Sequence, residues 1–239
     1  MQPLTFLTSA REAALDFLFP RRCYGCARWG LYWCAACSSA ATLPHARCPH
    51  CDARVPFGRL SARCRRELSL TGIFTCASYQ TPSLQRLLHD LKFKYAFALA
   101  EPLADMAVAW CAQGGYADAL ARMDMLLPVP SHHRRAKERG FNPAARIAKR
   151  VAQRMGIPYR DNVLVKPRAT ERQVEVATRT KRLENVVGAF AVTDVSAIVG
   201  KRVLLVDDVV TTGATLKECA RTLRHAGAKE VWALAIAKD

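Results

Sequence analysis

Two adjacent aspartates, Asp207 and Asp208, followed by Thr211, Thr212, Gly213, Ala214 and Thr215, form the part of this sequence with the most distinctive chemistry. The pair stands behind four apolar residues, Val203 to Val206, in the stretch VLLVDDVVTTGAT. Such a run predicts a strand buried in a parallel sheet that delivers two carboxylates to the sheet's open edge. The hydroxyl-and-glycine turn predicts a helix starting near Thr215. A turn of this kind presents backbone N–H groups, and the helix N-terminus adds positive potential, so a phosphate fits there. Two carboxylates beside it can accept hydrogen bonds from the vicinal hydroxyls of a sugar. Together they describe a site for a ribose 5-phosphate. A plain buried strand would explain the apolar run but not the turn. A receiver-type acidic pocket would lie near a domain's start, without TTGAT behind it.

Thiolates are the second source of chemistry. Cys23-x2-Cys26 is followed after seven residues by Cys34-x2-Cys37. Two such knuckles complete a tetrahedral zinc site, and four thiolates leave the metal no open position, which marks a structural ion. Zinc also supplies folding energy to a module too small to bury its own core. A second set comprises Cys48-x2-Cys51 and Cys64, but Glu67 stands where a fourth cysteine would complete it. Glu67 ligates, His50 or His45 substitutes, or the second site has lapsed; these three outcomes stay open. Cys76, Cys111 and Cys219 lie in apolar stretches and read as buried thiols.

Basic residues are the third. Residues 124–129 read as a strand ending in Pro128-Val129-Pro130, with Ser131, Arg134, Arg135 and Arg139 behind it. Arginines in a loop at a strand's C-terminal end are placed to take pyrophosphate; a solvated basic loop is the plainer alternative. The segment KPRATERQVEVATRTKRLENVVGAF, with Arg168, Gln173, Arg179 and Arg182, is charged and aperiodic, as suits a loop that closes over a ligand. Lys92, Phe93, Lys94 and Tyr95 could stack bases and neutralise phosphates, or merely cap a helix.

The positioning elements follow from pattern. Strands are predicted over residues 72–79, 124–129, 163–165, 188–192, 201–206 and 230–237. Helices are predicted from Pro82 to Leu91, through most of the segment after it, behind Asn142-Pro143, and from Thr215 to His225. The first twenty residues read as an amphipathic helix rather than an export signal. Of 239 residues, 36 are Lys or Arg against 20 Asp or Glu, a net charge of +16 that favours polyanionic partners. No apolar run is long enough to span a membrane. Ten cysteines without an export signal point to metal ligation and the cytoplasm. Two residues follow the last predicted strand, so an acceptor pocket is expected from residues 72–115, the cysteine module or a partner.

The acid pair followed by TTGAT resembles the phosphoribosyl pyrophosphate (PRPP) motif of type I phosphoribosyltransferases. FPRRCYGC, the LKF segment, PVP, RGFN and the R-x-x-R-x-x-N segment ending at Asn185 occur in one order. That order resembles the ComF/GntX-like family across nearly the whole chain, with Glu67 as the departure. The resemblance implies an α/β, type I phosphoribosyltransferase fold: a mostly parallel sheet flanked by helices, over residues 71–239. A zinc-ribbon module with the N-terminal helix would occupy residues 1–70. It implies that Asp207 and Asp208 hold ribose hydroxyls and Thr211 to Thr215 the 5-phosphate, with Mg²⁺ accompanying PRPP. It further implies single-stranded DNA and DNA-uptake proteins as partners, in natural transformation or the use of DNA as a nutrient. A transferase moving the phosphoribosyl group to an unknown acceptor is the alternative.

Overall fold

The computed structural model describes residues 21–94, 96–131, 140–167 and 188–239; the helix expected at the N-terminus lies outside them. In chain order the strands are β1 (Gly72–Ser78), β2 (Met125–Pro128), β3 (Leu164–Val165), β4 (Ala191–Val192), β5 (Arg202–Val210) and β6 (Glu230–Lys238). The α-helices are α1 (Ala35–Ala41), α2 (Ala62–Leu68), α3 (Pro82–Phe93), α4 (Ala100–Gln113), α5 (Ala117–Leu120), α6 (Pro143–Met155) and α7 (Ala214–His225). The main sheet has the order β1-β6-β5-β2, and every pairing in it is parallel. Val203 to Val206 and Val231 to Ala237 are fully buried. Unbroken apolar runs are what central parallel strands need when both faces are covered.

Local chemistry accounts for the helices. On α3 the buried side chains Leu84, Leu87, Leu88 and Leu91 recur at helical spacing behind Pro82. On α6, Asn142 caps the first turn by accepting from the Ala144 N–H at 3.1 Å, and Pro143 follows as the first helical residue. Helices α4 and α6 pack on each other and on the sheet, while α7 packs on β6 and α2.

Two elements differ from expectation in ways that matter for the site. Strand β5 does not stop at Val206 but runs on to Val210, because β6 keeps pairing with it: Asp207 lies opposite Ala235 and Val209 opposite Ala237. On its other side, β2 leaves the sheet at Pro128, opposite Val206, where a chain carrying two prolines lacks the N–H groups to continue a ladder. The strand expected over residues 188–192 shortens to β4 and forms a separate antiparallel ribbon with β3.

The cysteine-rich segment is built onto the sheet. Residues 42–60 run beside β1, with bridges Thr42–Ala77 and Arg59–Gly72 and a Leu43 N–H to Cys76 carbonyl bond of 2.8 Å. Thr75 Oγ1 takes the Arg47 N–H at 2.7 Å, and Trp110 Nε1 donates to the Leu43 carbonyl at 2.6 Å. Gly72 is required here, since a Cβ would come within 2.3 Å of the Gly58 carbonyl oxygen. This segment covers an edge that would otherwise expose unpaired backbone. Cys48, Val55, Leu60 and Leu68 accordingly belong to the same core as Phe74 and Trp232.

Candidate functional site

Beyond Pro128 no strand among the described residues pairs with β5 on that side, and the acid pair sits in that stretch. The last tie to the β2 chain is the Val129 N–H to the Val206 carbonyl, 2.8 Å. Consecutive strand residues face opposite sides. Asp208 is buried, and its Oδ1 meets Lys92 Nζ of α3 at 2.9 Å. Asp207 is partly exposed and accepts the Asp208 N–H at 2.9 Å. Burial, and next the like charge of Asp208, push the Asp207 carboxyl up to about 7; Lys92 and Lys166 pull the other way. Lys92 is therefore part of this centre. In sequence Lys92 stands in an aromatic cluster, and nothing local signals its pairing with a residue 116 positions away.

The turn follows at once. Gly213 caps α7 in the left-handed region, φ 80°, a conformation only glycine adopts freely. Thr212 Oγ1 accepts the Ala214 N–H at 3.3 Å, and the helix starts at Ala214, one residue before the expected position. The first-turn amides of α7 have no carbonyl partners within the helix. Asp207, Val210, Thr211, Thr212, Gly213 and Thr215 line a shallow pocket over them.

Next to the pair lies the PVP segment. Asn142 Nδ2 donates to the Val129 carbonyl at 2.9 Å, so the cap of α6 is tied to the chain that borders Asp207. Ser131 Oγ is buried with no hydrogen-bond partner among the described residues, a group that invites a ligand or water. Arg134, Arg135, Arg139, Arg168, Gln173, Arg179, Arg182 and Tyr95 lie outside the described residues. The fold thus brings Ser131, Asp207, Asp208 and residues 211–215 to one sheet edge. In the basic-aromatic cluster, Lys92 pairs with Asp208 and Lys94 with Asp90 at 3.0 Å, while Phe93 stays 54% exposed.

The sulfur atoms of Cys23, Cys26, Cys34 and Cys37 all lie within 4.8 Å of one another, as do those of Cys48, Cys51 and Cys64. The first set has the donor number and type for closed tetrahedral zinc. The second has three donors; among the described residues no carboxylate or histidine joins them. Glu67 turns instead toward Lys217 Nζ, 4.0 Å away. Of the alternatives left open by the sequence, ligation by Glu67, His50 or His45 is thus not what the geometry displays. The first set docks on α3, where Tyr24 Oη donates to Asp90 at 2.9 Å and Arg86 donates to the Tyr24 carbonyl at 2.7 Å. Cys76, Cys111 and Cys219 are buried. Burial pushes the Cys76 and Cys219 thiols well up, as expected of inert core sulfur.

Comparison with known proteins agrees with this architecture. Residues 138–239 match the phosphoribosyl transferase domain model. The DNA utilization protein YhgH of Salmonella typhi is 30% identical over 211 residues, covering 86% of this chain and 90% of the relative. Competence protein F of Haemophilus influenzae is 29% identical over 208 residues, covering 84% and 89%. The chain belongs to the ComF-like family. A solved glutamine PRPP amidotransferase from B. subtilis matches half of this ComF-like chain and 25% of its own, at 25% identity and a TM-score of 0.34. Among the described residues, no helix of the ComF-like chain is long and apolar enough to cross a membrane.

Proposed function

We propose that this ComF-like protein binds PRPP with Mg²⁺ at the open edge of β5, and binds single-stranded DNA, serving DNA uptake, natural transformation or the use of DNA as a nutrient. The carrying observation is the acid pair held beside a glycine-capped helix start, at the point where β2 has left the sheet. In this reading Asp207 and Asp208 accept from the ribose hydroxyls, and Thr211, Thr212, Gly213, Ala214 and Thr215 take the 5-phosphate. Ser131 and Arg134, Arg135, Arg139, Arg179 and Arg182 meet the pyrophosphate. Mg²⁺, when bound, neutralises pyrophosphate charge. Zinc in the four-cysteine set is structural support for the module over residues 1–70, and residues 71–239 form the ligand-binding domain. The cytoplasm is the compartment that suits free thiols and PRPP.

The DNA half rests on the net charge of +16 and on an exposed basic-aromatic face. There Phe93 and Phe97 are 54% and 41% exposed, and the Arg146 guanidinium lies 4.6 Å from the Phe97 ring centre. Bases stack on such rings while cations take phosphates. Isothermal titration of PRPP with Mg²⁺, repeated on Asp207→Asn, tests the first half: heat in the wild type and none in the variant is expected. Fluorescence titration of a labelled oligonucleotide tests the second, with affinity dropping steeply as salt rises. Silence at low salt would remove DNA from the proposal.

One observation favours turnover as a second reading. An Asp207 carboxyl at about 7 is poised to exchange a proton near neutral pH. Pyrophosphate release in the presence of candidate acceptors, abolished in Asp207→Asn and Asp208→Asn, is its signature.

A further inference from the structure

The second cysteine set lies against the turn assigned above to the 5-phosphate. Pro49, inside the Cys48-x2-Cys51 knuckle, and Leu68, at the end of α2, pack directly on Gly213. A Cβ built on that glycine would stand 3.2 Å from Pro49 Cγ and 3.1 Å from Leu68 Cδ2. Between knuckle and turn opens a cleft of about 430 Å³, lined by His50, Cys51, Cys64, Glu67, Thr212 and Lys217. Two of the three clustered thiols, and a residue of the phosphate turn, therefore face one space. Arg63 and Lys217 both border it, with Glu67 as the opposing charge.

Zinc held by protein thiolates takes four ligands, and here three converge. The Glu67 carboxylate stands outside the sulfur group, toward Lys217. Three thiolates on a divalent ion leave one net negative charge, which Arg63 and Lys217 offset, and the N-terminus of α7 adds further positive potential. The space beside the three thiols is thus open and shared with Thr212, and Arg63, Lys217 and Glu67 together with a zinc-trithiolate balance to no net charge. We propose that Cys48, Cys51 and Cys64 hold a zinc ion whose fourth position is completed from this cleft by a phosphoryl oxyanion. The first set, with four thiolates, is closed to any such ligand. The oxyanion comes either from free phosphate or from a phosphorylated ligand seated on the turn. The second source rests on the PRPP reading of that turn; the first does not.

Cobalt replacement in the full-length protein tests this, because ligand exchange at tetrahedral Co²⁺ changes its visible absorption. Two cobalt equivalents are expected, one for each cysteine set. Titration with inorganic phosphate, and separately with PRPP, should shift the bands of one equivalent only. Cys64→Ser should remove that equivalent. Glu67→Cys should keep both, strengthen the thiolate-to-metal absorption and silence the response to either anion. A single equivalent in the wild type overturns the proposal. So do bands indifferent to both anions, or bands that change in Glu67→Gln before any anion is added, since Glu67 would then be the fourth ligand. The two readings fail separately. If calorimetry shows PRPP bound through Asp207 while the cobalt bands stay still, the open position is wrong and the PRPP site stands. If phosphate shifts the bands while PRPP gives no heat, the PRPP site is wrong and the open position stands.

Discussion

The two cysteine sets begin with the same C-x2-C knuckle, yet they support different halves of the site by different routes. The first set gathers four sulfur atoms. It acts at a distance: Tyr24 and Arg86 lock it to α3, and α3 carries Lys92 to Asp208. The second set gathers three and borders the turn before α7 directly, through Pro49 and Leu68 against Gly213. One missing cysteine, replaced by Glu67, separates a closed knuckle from one that faces a cleft. The lesson is that a metal motif's spacing tells what it can bind, whereas its packing decides which part of the molecule it serves.

Removing the closed set should have the largest effect. Cys34 also caps α1 by accepting the Cys37 N–H at 3.5 Å. Cys34→Ser should lose one zinc equivalent and about 3 kcal/mol or more, a fall in melting temperature of roughly 6–12 °C. The fraction still folded should lose PRPP affinity only as far as Lys92 shifts from Asp208, less than Cys64→Ser loses; a larger loss would break the distinction between the sets.

Lys92 tests the indirect route. Its pair with Asp208 is largely buried, with side chains 22% and 12% exposed. Lys92→Met should cost about 1–3 kcal/mol at neutral pH, because Asp208 is left without its counter-charge. Lys94→Met, which removes a far more exposed pairing with Asp90, should stay within about 0.5 kcal/mol. Equal effects in thermal melts would show that α3 carries no special link to the acid pair.

Cys64→Ser sharpens the direct route. It should weaken PRPP roughly tenfold, about 1.4 kcal/mol, with a smaller change in melting temperature than Cys34→Ser. A variant that melts lower but binds PRPP normally would detach the second set from the turn.

The last effect concerns pH. The Asp207 carboxyl lies at about 7 in the folded chain against an ordinary value of 3.8, so the folded state holds this proton more tightly. Its contribution to stability is full below 3.8 and is lost as pH rises toward 7. Asp207→Asn should therefore melt a few degrees above the wild type at pH 8, with the gap closing by pH 4. Mg²⁺ with PRPP should narrow the same gap at pH 8, since a bound cation relieves the repulsion between the two carboxylates.

Much of this was legible along the chain because it depends on neighbours in sequence. The apolar run before Asp207, the Asn142-Pro143 helix start and the four-cysteine set each carry their chemistry within a few residues. Even the true length of β5 was hidden, however. Val209 and Val210 extend it only because β6 remains beside them after β2 has gone.

Residue type and spacing were enough to establish a parallel α/β core, an acid pair joined to a glycine-and-hydroxyl turn, and a cysteine-rich front end able to hold a metal. Periodicity and ligand chemistry travel with the residues themselves. That Lys92 reaches Asp208, that residues 42–60 seal the β1 edge, and that Glu67 turns to Lys217 beside three thiols came from the folded chain. Those pairings join residues far apart in sequence, and strand order and helix packing, not local pattern, set which of them meet.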